Sequence, residues 1–155
     1  IVPKIDGIGR VWNLLRLSLA NHIAVDGHAI VSILSVRYAE QVEPDNTYVA
    51  LIRDFVEREH IDVVRSMPPP AMGMGVVDQY LLASLNNIYE ARFDLAVQNA
   101  NIVLALDSDN VMALKRLGSA YFAMGEKVKA RQAWTKAFSL APDDAELKQF
   151  ISTIK

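Results

Sequence analysis

An all-α chain of antiparallel helix hairpins packed side by side is the fold class this sequence predicts, and three observations predict it. Apolar residues recur at helical spacing along most of the chain, as Leu114, Leu117, Tyr121 and Phe122 do. Gly, Pro, Asn and Asp gather at short breaks between those stretches, where turns belong. Two neighbouring blocks, 77–110 and 111–144, run through helix, turn and helix in the same order. A lone pair of such helices cannot close a core, so each hairpin needs neighbours.

With 155 residues, the chain is read as one domain spanning 1–155. The opening "IVPKIDGIGR" has no periodic pattern and reads as an irregular lead-in, with Asp6 capping a helix from about residue 8. Residues 13–46 form a degenerate repeat that ends in Pro44-Asp45-Asn46. Its turn is Asp26-Gly27.

Residues 47–76 are a defective repeat. Pro44 and Pro142 stand 98 positions apart, four short of three repeats of about 34. The shortfall falls in the block that contains "SMPPPAMGMG", residues 66–75. Each proline removes a backbone donor and costs about 3 kcal/mol inside a helix, so this segment stands where a second helix is missing. Thr47 is a good N-cap, and Tyr48, Leu51, Ile52, Phe55 and Val56 make an apolar stripe behind it. The absence of Gly and Pro favours one unbroken helix over 47–66. A break after Glu59-His60 with a further short turn through Val64 is the other reading, and a linker between two domains is a third.

Residues 77–110 read as two helices that close in Asp107-Ser108-Asp109-Asn110, with Ser108 where the later block has Pro142. In 111–144 Met124-Gly125 ends the first helix, and a second carries Val128 through Leu140 to Pro142. Leu147, Phe150, Ile151 and Ile154 give residues 145–155 one apolar face, as expected of a capping helix.

The spacing Leu114-x2-Leu117-Gly118-x2-Tyr121, then Ala130-x3-Trp134-x2-Ala137 and Pro142, resembles a tetratricopeptide repeat. Residues 77–110 extend the resemblance, which implies Ser84 and Ala96 as the small pair at the helix crossing and puts Asn87 and Ala100 at the wedge positions. Residues 13–46 carry a fainter form of it, with Ala20 and Ser32 as the implied pair and Ala39 as the third small position. The resemblance implies a right-handed solenoid in which Gly118 faces Ala130 while Tyr121 and Trp134 fill wedges between repeats. In that family the first helices of successive repeats line a concave groove that takes peptides. The outward positions are Asp78, Leu81, Leu85 and Ile88, then Met112, Lys115, Ser119 and Phe122, with Leu14, Leu17, Asn21 and Ala24 from 13–46. Chaperone-binding members clamp a carboxylate there with lysine and asparagine. This chain departs from them, setting Lys115, Arg116 and Asn21 among leucines. A groove of Leu, Ile, Met and Phe suits an apolar ligand such as an amphipathic helix. Two readings stay open: an adaptor or scaffold that binds another protein, and a structural or self-associating domain whose groove is filled by its own chain or a second copy.

Composition excludes several classes. Net charge is −2 and the 16 Lys and Arg are scattered, so no basic stripe predicts nucleic-acid binding. Hydrophobic residues make up 52% and charged ones 22%, against about 25% charged in a typical domain, a surplus for a large core or a contact surface. No apolar run approaches the roughly 20 residues of a membrane span. Cysteine is absent, so neither cytoplasm nor periplasm is favoured. The start shows neither an initiator Met nor a signal-peptide pattern, which predicts a piece of, or a product cut from, a longer chain.

Chemistry is not predicted either. His22, Asp26 and His28 straddle the expected turn, and "EREHID" around His60 lacks the second His of a zinc hydrolase motif. "GIGRVW" lacks the third Gly of a dinucleotide loop, and "MGMG" lacks the Lys-Ser/Thr of a phosphate loop. No serine sits in a nucleophile elbow. The expectation is a non-enzymatic chain with no catalytic residue, no metal and no cofactor. Met67, Met72 and Met74 read as an adaptable apolar patch or as a simple loop.

Overall fold

The computed structural model describes residues 7–22 and 28–154. Among them the chain is all-helical, with no strand. The expected positions of Asp6, Ala24 and the Asp26-Gly27 turn lie outside the described residues. The chain divides into two compact units, 1–76 and 77–155.

The first unit holds α1 (Gly7–His22), α2 (Ala29–Val42), α3 (Thr47–Glu59) and α4 (Ile61–Ser66). Its core is Val11, Leu14 and Leu15 of α1, Ile33, Val36 and Ala39 of α2, and Val49 and Val56 of α3. Where α1 crosses α2, Ser18 and Ser32 are buried and each hydroxyl donates to the other residue's carbonyl oxygen at 2.8 Å. Small side chains that satisfy one another let the two backbones approach without leaving a buried polar group unpaired. The sequence reading put Ala20 at this crossing. Ala20 is exposed, and Ser18 takes its place.

The N-cap of α3 is Asn46, not Thr47. Its Oδ1 accepts from the N–H groups of Tyr48 and Val49, at 3.0 and 3.3 Å. One unbroken helix over 47–66 is also not what forms. The chain bends at His60, at φ −115° and ψ 34°, and restarts as α4. The bend turns α4 back so that Val63, Val64 and Met67 pack on the core of the other three helices. A straight helix has no reason from local propensity to break here; burial of those three side chains supplies one. The segment that follows is extended at Met67 and exposed across Pro68, Pro69 and Pro70. It ends at Val76, whose N–H donates to Gln41 Oε1 at 3.0 Å.

The second unit contains α5 (Val76–Tyr89, from Val77 on), α6 (Phe93–Leu106), α7 (Val111–Ala123), α8 (Lys127–Leu140) and α9 (Ala145–Thr153). Ser84 of α5 is buried and donates to Ala96 O of α6 at 2.9 Å. Ala100, Leu117 and Ala133 form one cluster across α6, α7 and α8. Leu114, Ala130, Trp134, Ala137, Leu147 and Ile154 form another across α7, α8 and α9.

Two kinds of turn recur. Within the hairpins, α5–α6 and α7–α8 close with the same pair of bonds: Arg92 N–H to Asn87 O and Ala91 N–H to Ile88 O, then Glu126 N–H to Tyr121 O and Gly125 N–H to Phe122 O. This six-to-one plus five-to-two pattern is the Schellman motif, which needs a left-handed residue after the helix. Gly125 fills it at φ 80° and Ala91 at φ 56°. Between hairpins, Asn46, Asn110 and Asp144 each donate their N–H to the carbonyl three residues back, then cap the helix that follows.

Candidate functional site

The expected groove positions of the second unit lie on α5 and α7. Leu81, Leu85 and Ile88 are half-buried, and Asp78 is exposed. Met112 and Phe122 are 44% and 41% exposed, large fractions for apolar side chains flanked by core residues Ala113, Leu114 and Leu117. Arg116 ties the two helices together by donating to Leu81 O, and its burial pulls its pKa down. Ser119 donates to Lys115 O within its own helix, at 3.0 Å.

Lys115 is not an open cation. Its ammonium binds Asp144 at 2.9 Å and also Glu146, both at the start of α9, and its side chain is only 14% exposed. Burial alone would lower its pKa, but the two carboxylates outweigh that and raise it. The hydrogen bond from Lys115, helped by the N–H of Leu147, in turn lowers that of Asp144. Sequence reading did not find this pairing. The one available hint was Asp144-Ala-Glu146, two acids where a helix start favours them.

Behind this surface the repeat positions form an aromatic ladder. Phe122 and Trp134 have ring centroids 5.6 Å apart, and Trp134 and Phe150 are 5.0 Å apart. The indole N–H of Trp134 donates to Lys115 O at 3.1 Å. Gly118 sits directly under that indole: a Cβ there would fall 2.3 Å from both Cδ1 and Nε1 of Trp134. Gly118 therefore makes room for Trp134, while Ala130 and Ala137 are buried in the cluster beside it. Tyr121 is half-buried between the two clusters, with Lys129 over its ring at 5.4 Å. Pro142 is exposed in the turn before α9.

In the first unit Leu14 is core rather than surface, Leu17 is half-buried, and the Asn21 amide donates to Leu17 O at 2.8 Å. Two recesses in the second unit lie away from the expected groove. One of 240 Å³ is lined by Ala91–Leu95 and Met124, the other of 410 Å³ by Val128, Gln132 and Ile154 with Lys127 and Arg131. Among the described residues, no three His, Asp or Glu side chains are placed to hold a metal ion. No described helix is long and apolar enough to cross a membrane.

The fold and surface define a class no finer than an all-helical chain. The chain matches no protein-family model, no curated protein and no solved structure.

Proposed function

We propose that this chain is a non-catalytic protein-interaction module of tetratricopeptide-like hairpins, which binds an apolar peptide or helix along α5 and α7. The observation that carries the reading is the pairing of exposed Met112 and Phe122 with a cation, Lys115, already held by the chain's own carboxylates. A surface with apolar anchors and no uncommitted lysine at its centre favours an apolar ligand over a terminal carboxylate. The Schellman turns at Ala91 and Gly125, one repeat length apart, support the repeat architecture behind it. In this architecture α9 is the capping helix of a solenoid.

Selection of displayed helical peptides against the chain tests the proposal. Binders should carry apolar residues at i, i+4 and i+7. The Leu85→Glu and Met112→Glu variants should lose them by more than about tenfold, each buried anchor being worth roughly 1.5–3 kcal/mol, with unchanged helicity and melting. Unfolding of both variants would make these positions core and end the proposal.

The alternative is a structural or self-associating domain. It is favoured by Tyr48, Leu51 and Phe55, which are exposed in a row along α3. Mass by light scattering that rises with concentration, and falls for Leu51→Glu, supports that reading instead.

A further inference from the structure

In the first unit, His22 Nδ1 stands 2.9 Å from His60 Nε2, although the residues are 38 apart in sequence. Their ring centroids are 4.9 Å apart with planes at 75°, and His22 meets Phe55 edge-on at 5.0 Å. His22 ends α1, and His60 is the joint between α3 and α4. Both are half-buried. A contact between two ring nitrogens needs one N–H and one lone pair. It therefore exists when both rings are neutral, and also when the pair shares one added proton. A second proton leaves two N–H groups and two positive charges facing each other.

We infer that His22 and His60 form a proton-operated latch, which holds the α3–α4 bend against the end of α1 at neutral pH and releases it in acid. Imidazole is the side chain that takes up its proton between about pH 5 and 8. The charged groups on the surrounding helices are engaged elsewhere or face water. On α1, Arg10 lies over the Tyr38 ring and Arg16 is exposed. Between α2 and α3, Arg37 holds Glu57, and Arg53 holds Glu40 and Asp54. At the end of α2, Glu43 accepts from Asn46. Arg58 and Glu59 of α3 and the Asp62–Arg65 pair of α4 are exposed, as is His28 before α2. Among the described residues, no carboxylate hydrogen-bonds to either imidazole. No group among the described residues is thus placed to neutralise the second proton. Its consequence falls on α4, whose Val63, Val64 and Met67 reach the core only through the bend.

Hydrogen–deuterium exchange on the intact chain tests the latch. After correction for the intrinsic effect of pH on exchange, amides 61–67 should open about tenfold more on going from about pH 7 to about pH 5. The helices of 77–155 should keep their protection. His22→Phe and His60→Phe each remove the latch, and the acid step should vanish in whichever variant folds. An unchanged opening in the native chain, or an acid step that survives in a folded variant, would overturn the inference. Ring NMR on the native chain gives a reading that needs no variant. The His22 and His60 signals should respond to acid as one linked pair; two independent curves would equally overturn it.

Discussion

Ala91 and Gly125 occupy the same place in successive hairpins, and only one of them suits it. Both are left-handed, which an L-residue resists by about 1–2 kcal/mol because its Cβ crowds the following carbonyl. Ala91 is exposed, so its methyl group contributes little packing to set against that strain. Ala91→Gly should therefore stabilise the chain by about 0.5–1 kcal/mol, after allowing for the greater freedom of Gly in the unfolded state. A melting temperature a few degrees higher would register it; an unchanged or lower one would show that Ala91 is not strained. Gly118 is the opposite case. Its helix has no need of glycine, but the Trp134 indole does, because it is fixed by its bond to Lys115 O and by its contacts with Phe122 and Phe150. Gly118→Ala should cost about 1–3 kcal/mol or more through overpacking. Urea denaturation followed by tryptophan fluorescence reads both the loss and the displaced ring.

At the scale of helices, Asp144 does two jobs at the start of α9: it caps the helix through Glu146 and Leu147 N–H, and it holds Lys115 of α7. Asp144→Asn keeps an acceptor for the cap and removes the charge. Because Lys115 lowers the Asp144 pKa, the charged form contributes stability above the ordinary carboxylate range, near pH 3.9, and loses it as pH falls through the lowered folded value. Lys115, with its pKa raised, loses its share only as pH climbs past that raised value. The native chain should thus be more stable than the variant at neutral pH, and the gap should close on acidification below about pH 4. A gap that stays constant with pH would assign the effect to the cap alone.

The same scale explains what could be read from sequence. In the second unit the crossing Ser84–Ala96 pair is 12 apart, Gly118 and Ala130 share that spacing in sequence, and the turns after α5 and α7 repeat. In the first unit the crossing is Ser18 to Ser32, 14 apart. A frame aligned on Pro44 that keeps the 12-residue spacing back from Ser32 therefore lands two residues late on α1, choosing Ala20 for Ser18 and placing core Leu14 on the surface. The apolar positions of the candidate site on α5 and α7 were legible, because periodicity records faces. The Lys115–Asp144 and His22–His60 contacts were not, since they join residues 29 and 38 apart and leave no periodic trace.

For the whole molecule, the segment that first resists a helical reading also marks the division between units. Residues 1–76 have a core drawn from α1, α2, α3 and the returning α4. The buried clusters of residues 77–155 include those drawn from α6 to α9. Just before the boundary, Pro68, Pro69 and Pro70 are exposed, Met72 is fully exposed, and Gly73 is left-handed at φ 73°. Exposed, irregular backbone of this kind is where proteases cut folded chains first, because helical backbone must unfold to enter an active site. Brief thermolysin digestion should therefore cleave near Met72 before any site within α1–α4 or α5–α9. Each product should keep its helical circular dichroism, since each retains its own buried set. First cuts inside α3 or α7 would show that local opening of those helices outruns access to the loop. Loss of helix from either product after a cut at Met72 would show that its buried set does not suffice to hold it folded.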